Sequence, residues 1–172
     1  MDLKKYIRTV KDFPKPGISF KDISLLLANG EALHYTIKKM ADLAKDADII
    51  VGPDARGFLF GTPVAAKLKK PFIMVRKKGK LPGDVASCDY GLEYGRNVLE
   101  LQKGVTKPGQ KAVIIDDVLA TGGTLEAIIK LLESEKVDVS KIIVLMELEG
   151  FDARKRLKCD VENLIFIGEN EQ

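Results

Sequence analysis

The sequence predicts an α/β domain built on a doubly wound, mostly parallel sheet flanked by helices. Short apolar runs of strand length alternate with segments of helical periodicity, a pattern typical of parallel strands joined by helical crossovers. The apolar runs are uninterrupted rather than alternating, which indicates strands covered on both faces. Since the chain has 172 residues, an ordinary length for one domain, we expect a single domain over residues 1–172.

Each element is predicted from local signals. Apolar residues at helical spacing indicate helices, continuous apolar runs indicate buried strands, and proline or glycine marks the breaks. The predicted helices lie around Leu3 to Val10, from near Gly30 to Ala44, from about Arg56 to Leu68, from Leu125 to Leu132 and from Asp152 to Leu157. The predicted strands are Ile49 to Val51, Pro71 to Val75, Val98 to Gln102, Ala112 to Ile115, Ile142 to Met146 and Leu164 to Ile167. Between them stands one long polar stretch, 76–96, and loops of that length are usually functional.

Composition argues against several classes of protein. The apolar share is 45%, the charged share is 31%, and the formal net charge of +3 is too small to indicate a nucleic-acid partner. No apolar run approaches about 18 residues and the N-terminus lacks a signal-peptide pattern, so we expect no membrane association. Cys88 and Cys159 lack metal-ligand spacing, and we predict free thiols in the cytoplasm.

The strongest functional signal is the run 113–124, Val-Ile-Ile-Asp-Asp-Val-Leu-Ala-Thr-Gly-Gly-Thr. Asp116 and Asp117 stand where the strand is predicted to end, and ligands bind at the carboxyl ends of strands in open α/β sheets. Glycines followed by a helix N-terminus form a phosphate cradle, and the acids suit sugar hydroxyls or water on a metal. The run therefore predicts a ribose 5-phosphate site, with an ordinary strand–turn–helix as the alternative. The cradle residues are Ala120, Thr121, Gly122, Gly123 and Thr124.

A second signal is the cationic run 76–80, Arg-Lys-Lys-Gly-Lys. Cations aimed at a pyrophosphate leaving group stabilise the transition state more than the ground state, because negative charge builds up as its bond breaks. A solvated lysine-rich face is the alternative. His34 is the only histidine, which disfavours a Ser-His-Asp site, and no Gly-x-Gly-x-x-Gly turn indicates a dinucleotide-binding protein.

The run 113–124 resembles the 5-phosphoribosyl-1-pyrophosphate (PRPP) binding motif of type I phosphoribosyltransferases, and its ending is closest to the adenine branch. Residues 76–82 and 92–95 resemble the flexible catalytic loop of that branch. Residues 13–23 resemble its hood, which covers the purine, and residues 54–61 carry its Arg-Gly-Phe pattern.

The resemblance implies the type I phosphoribosyltransferase fold, with an N-terminal hood over about residues 1–30 and a flexible loop over about residues 76–96. It implies that Glu93 accepts the proton of the incoming base, that Asp116 and Asp117 hold the ribose hydroxyls, and that the cradle holds the 5-phosphate. The implied pyrophosphate residues are Arg56, Arg76, Lys77 and Lys80. The implied adenine residues are Ser19, Lys21, Arg56 and Leu148.

Each assignment has a structural alternative. In the alternative, Glu93 is an exposed acid at a strand start, Arg56 is a surface arginine at a helix-capping turn, and Leu148 is a core leucine. The alternative for the hood segment is a rigid surface turn that contacts no base.

The function implied is purine salvage, in which adenine and PRPP give AMP and pyrophosphate. The resemblance also implies Mg²⁺ held mainly by substrate oxygens, with no direct protein ligand, and a homodimer. Two alternatives stay open. One is the same fold with xanthine or a 6-oxopurine as the base, and the other is a PRPP-sensing regulator that has lost catalysis.

Overall fold

A computed structural model of the chain describes residues 1–90 and 97–171. Its helices are α1 Ser24–Leu27, α2 Gly30–Leu43, α3 Arg56–Leu68, α4 Gly123–Ser134 and α5 Ala153–Arg156, with 3-10 turns at Leu3–Tyr6 and Glu169–Glu171. Its strands are β1 Arg8–Lys11, β2 Ser19–Asp22, β3 Ile49–Pro53, β4 Phe72–Lys77, β5 Val85–Tyr90, β6 Asn97–Gln102, β7 Lys111–Leu119, β8 Asp138–Leu148 and β9 Asp160–Ile167. The helix predicted at 56–68 is confirmed at both ends.

The main sheet has the strand order β5-β6-β4-β3-β7-β8-β9 within the described residues. Strands β4, β3, β7, β8 and β9 are parallel to one another, while β6 and β5 extend the sheet by antiparallel pairing. The mostly parallel α/β fold is therefore confirmed. After β3 the chain adds β4 on one side of the sheet, whereas after β7 it adds β8 and β9 on the other side. The strand order therefore reverses between β3 and β7, and a crevice forms there.

Two hydrophobic clusters cover the two faces of the sheet, which explains the continuous apolar run of β7. Ile114 packs with Ile128 of α4 in one cluster. Val113 and Ile115 pack with helices α2 and α3 in the other, which includes Phe60. Alternate residues of one strand thus enter opposite cores. No helix among residues 1–90 and 97–171 combines the length and apolar character needed to cross a bilayer.

The helix predicted around Leu3 to Val10 is wrong beyond its first turn. A 3-10 turn ends at Tyr6, and β1 then pairs antiparallel with β2, from Arg8 opposite Asp22 to Lys11 opposite Ser19. The turn between them includes Gly17, whose φ of +84° suits glycine. Pairing with β2, which begins at Ser19, overrides the local helical pattern. We call β1, β2 and their turn the hood hairpin.

Two further boundaries differ from prediction because strand pairing extends elements beyond their apolar runs. The polar stretch 76–96 contains strand β5, which pairs along its length with β6. Strand β7 continues past its apolar run to Leu119, so Asp116 and Asp117 lie within it rather than after it. Asp116 pairs in register with Val144 of β8.

Candidate active site

The two acids border a cleft because β7 extends beyond its last pair with β3. On one side β7 pairs with β8 as far as Leu119. On the other its pairing with β3 ends at Ile114, opposite Val51, and β3 continues beside β4 for two more residues before the turn leading into α3. Asp116 and Asp117 therefore stand beyond the last β3 pair, at the crevice between the two strands. Together with Pro53, Asp54, Arg56 and Lys77, they line a cleft of about 270 Å³.

Burial shifts the pKa values of the two adjacent carboxyl groups. It raises the pKa of Asp116 well above its ordinary value, and the neighbouring charge of Asp117 raises it further. The Asp117 side chain is 4% exposed, and burial raises its pKa while the guanidinium of Arg56 opposes that rise. Asp116 Oδ1 accepts a hydrogen bond from the Asp117 amide at 2.8 Å.

Arg56, at the start of α3, joins these acids to the hood hairpin. Its Nε lies 2.9 Å from Asp117 Oδ2, but that oxygen accepts no hydrogen bond from the described residues. The contact is therefore an ion pair without hydrogen-bond geometry. Arg56 Nη1 also donates to the Lys21 carbonyl at 3.1 Å, and the guanidinium lies 4.9 Å from the ring centroid of Phe20. One side chain thus couples the hairpin to the sheet.

The segment Ala120–Thr124, which we call the phosphate loop, encloses an adjoining cavity of about 170 Å³ that also touches Asp116. Gly122 is the N-cap of α4, with φ of +79°, and has no side chain to cap the first turn. The helix therefore begins with amide groups directed at its N-terminal end, where an anion is favoured. Thr124 lines both this cavity and the cleft, so the two spaces adjoin.

The predicted pyrophosphate residues are only partly brought together. Arg56 and Lys77 line the cleft. Arg76 instead donates through Nε to Asp54 Oδ2 at 2.8 Å, so its charge is paired beside the cleft. Lys80 is exposed in the turn after β4, and its carbonyl lies 3.4 Å from Arg76 Nη1.

The predicted adenine residues are held by different contacts. The Lys21 ammonium group is buried and donates to Thr9 Oγ1 at 2.8 Å and to the Glu171 carbonyl at 3.2 Å. The contact of Lys21 with Arg56 is made by its backbone carbonyl, which accepts the hydrogen bond from Arg56 Nη1. Ser19 is half-buried in β2, and Leu148 is half-buried at the end of β8. Glu93, the predicted proton acceptor, lies outside the described residues.

Comparison with known proteins agrees with this geometry. A model of the phosphoribosyl transferase domain matches residues 20–169. A Mycoplasmopsis pulmonis adenine phosphoribosyltransferase is 69% identical over 97% of this chain and 99% of its own length. The chain belongs to the phosphoribosyltransferase family, in its adenine phosphoribosyltransferase branch.

Solved adenine phosphoribosyltransferases share the fold as well as the sequence. The crystal structure from Thermoanaerobacter pseudethanolicus superposes with a TM-score of 0.92 at 46% identity, covering 96% of this chain and 98% of its own. The Saccharomyces cerevisiae enzyme, complexed with an imino-altritol bisphosphate and adenine, gives a TM-score of 0.89 at 33% identity, covering 93% and 94% of the two chains. The type I phosphoribosyltransferase fold is therefore confirmed.

The sequence motifs do not indicate three charged contacts near the site of this phosphoribosyltransferase. They are the Asp54–Arg76 pair, the contact of Arg156 with the phosphate loop, and a partly exposed pair beside Leu148. In that last pair Arg154 donates to both oxygens of Glu147, at 2.8 and 2.6 Å. Each pair joins residues on different elements, and neither charge pattern nor spacing identifies the partners.

Proposed function

We propose that this chain catalyses the adenine phosphoribosyltransferase reaction of purine salvage. N9 of adenine forms a bond to the anomeric carbon of PRPP while the bond from that carbon to pyrophosphate breaks, and N9 loses its proton. The observation that carries the proposal is the pair of adjoining cavities, which combine adjacent buried acids with an uncapped glycine loop. Membership of the adenine branch supports adenine as the base.

The phosphate loop and the two acids suit the ribose 5-phosphate half of PRPP. Amides and the hydroxyls of Thr121 and Thr124 would donate to the 5-phosphate. Asp116 and Asp117 would accept hydrogen bonds from the ribose hydroxyls, and those donors would relieve the cost of burying ionised carboxylates. Carboxylates close to the ring also favour the positive charge that develops at the anomeric carbon.

The cations suit the departing pyrophosphate. Arg56 and Lys77 already line the cleft, and we assign them to the leaving group together with Arg76 and Lys80. Arg76 would have to exchange Asp54 for a phosphate oxygen. Because the leaving group gains charge as its bond breaks, these contacts strengthen in the transition state.

The hood hairpin suits the base. We assign Ser19, Lys21, Arg56 and Leu148 to adenine, with the backbone of the hairpin directed at its polar edge and Leu148 at its face. Glu93 would take the proton from N9. General-base catalysis typically contributes about 10²–10⁴-fold, so Glu93→Gln should be impaired without being inactive.

We also propose that Mg²⁺ binds with PRPP. Because this ion keeps water and phosphate oxygens as ligands, we assign it mainly to the oxygens of PRPP, with no direct protein ligand. The ion supplies charge neutralisation on the phosphates when bound.

A homodimer in the cytoplasm, without a nucleic-acid or membrane partner, completes the proposal. Sedimentation of the purified chain tests the dimer.

Product chromatography tests the reaction directly. The chain is incubated with PRPP, Mg²⁺ and, in parallel, adenine, hypoxanthine, guanine, xanthine or orotate. AMP from adenine alone is the expected result. Turnover of another base would keep the PRPP site but refute adenine selectivity, and PRPP binding without any product would favour the regulator. Asp116→Asn combined with Asp117→Asn should raise the PRPP KM, and unchanged PRPP kinetics in that variant would refute the ribose assignment.

A further inference from the structure

Helix α5 forms a wall behind the phosphate loop. A Cβ atom added to Gly122 would lie 3.3 Å from the Cβ of Ala153, the first residue of α5. Ala153 and Leu157 are both buried in the core cluster that includes α4. The loop therefore rests on an element that is itself fixed by packing.

Arg156, the last residue of α5, contacts the loop backbone directly. Its Nη1 donates to the Thr121 carbonyl at 3.2 Å. Its Nε lies 3.5 Å from Glu126 Oε2 on α4, which holds the guanidinium at the junction of the loop and the helix. The Arg156 side chain is 48% exposed, so the contact is open to solvent on one side.

The guanidinium of Arg156 borders a second cavity, next to the one that the loop encloses. Arg156 lines an outer cavity of about 530 Å³ with Glu126 and with the loop residues Thr121, Gly123 and Thr124. It does not line the 170 Å³ cavity that the loop itself encloses. Arg156 is thus placed to act through the loop rather than on the phosphate.

The Thr121 carbonyl controls the direction of the next amide. The peptide bond between Thr121 and Gly122 is not among the cis bonds of the chain, and in a trans peptide the C=O and N–H groups point in opposite directions. A hydrogen bond that holds the carbonyl towards Arg156 therefore holds the Gly122 N–H on the face away from Arg156. Consistent with this direction, Gly122 lines the 170 Å³ cavity and does not line the outer cavity beside Arg156.

We propose that Arg156 is a positioning residue for the 5-phosphate, which fixes the Thr121–Gly122 peptide so that its amide donates to the phosphate. The inference rests on the proposed function, because it needs a substrate that carries this group. It adds to the phosphoribosyltransferase site a residue that none of the sequence motifs contains.

The test compares substrates that carry the 5-phosphate with those that do not. In the full chain, Arg156→Met should raise the KM of PRPP in the forward reaction and the KM of AMP in the reverse reaction about tenfold. This increase is at the lower end of what the loss of a hydrogen bond from a charged donor causes, because the Arg156 side chain is half exposed. The KM of adenine and of pyrophosphate, and kcat, should change less than about twofold, as expected when binding is lost equally from ground and transition states.

Two further variants separate the contact from charge and from folding. Lys155→Ala removes a cation from the same helix and should leave every KM unchanged. Lys155 pairs with Asp152 at 2.9 Å, and 79% of its side chain is exposed. Arg156→Lys keeps a donor and should recover part of the PRPP affinity. Equal changes in all four KM values, or an unchanged PRPP KM in an active Arg156→Met protein, would overturn the inference. Absence of AMP synthesis in the wild type would instead overturn the proposed function.

Discussion

Replacement of Arg56 by methionine is the sharpest test of how the site is held together. Methionine keeps an apolar stem over Phe20 but removes the charge beside Asp117 and the donor to the Lys21 carbonyl. Removing one partner of a buried ion pair costs about 3–5 kcal/mol. Since 34% of the Arg56 side chain is exposed, solvent reduces that cost, and we expect a loss of about 2–3 kcal/mol in the free energy of unfolding at neutral pH.

A double-mutant cycle isolates the part of this loss that belongs to Asp117. In an Asp117→Asn background no buried charge is left unpaired, so Arg56→Met should cost only about 1 kcal/mol, the value of the hydrogen bond to Lys21. The coupling free energy is then about 1–2 kcal/mol. In thermal unfolding the single variant should lose about 5–10 °C, because 1 kcal/mol corresponds to roughly 2–4 °C in a domain of this size.

The pH dependence gives the same interaction an independent readout. Arg56 lowers the pKa of Asp117 against the effect of burial, so without Arg56 that pKa is higher still. As the pH falls below neutral, Asp117 takes up a proton in the variant and the unpaired charge disappears, so the cost of Arg56→Met should shrink.

Lys45→Met is the matched control, because Lys45 and Asp42 form an exposed pair at 3.3 Å and should contribute less than about 0.5 kcal/mol. An equal cost of Arg56→Met in both Asp117 backgrounds, at every pH, would refute the reasoning.

Three other predictions follow from burial and close contacts. Because burial raises the pKa of Asp116, the folded chain binds its proton more tightly than the unfolded chain, and stability should fall as pH rises from about 4 through the folded pKa. Asp116→Asn should remove that fall in urea titrations, and a slope equal to that of the wild type would contradict it. Glu147→Gln should lower the free energy of unfolding by about 1–2 kcal/mol, and, because hydrogen bonding to Arg154 lowers the pKa of Glu147, the deficit should vanish as the pH falls through that pKa. An undiminished deficit in acid would count against the pair. Gly57→Ala should cost about 1–3 kcal/mol, because its Cβ would lie 2.7 Å from the Pro53 ring, whereas Gly30→Ala meets nothing within 4 Å and should be neutral or stabilising. Equal melting temperatures for the two alanine variants would refute the steric argument.

Local sequence determined most of the parallel core. The apolar run 112–115 requires burial on both faces, and the helical spacing of residues 56–68 defines α3 without reference to the rest of the chain. The glycines of the phosphate loop were equally readable, since the positive φ of Gly122 suits few other residues. These features depend on periodicity and backbone sterics over a few consecutive residues.

Only the tertiary structure decided where the hood hairpin and β5 form, because strand pairing depends on a partner distant in sequence. The same holds for the partners of the charged residues. Arg76 was assigned to pyrophosphate from its cationic neighbours, but the structure pairs it with Asp54. The contact of Arg156 with Thr121 spans 35 residues. Sequence supplies the charge of such a side chain, whereas the fold alone brings its partner within hydrogen-bonding distance.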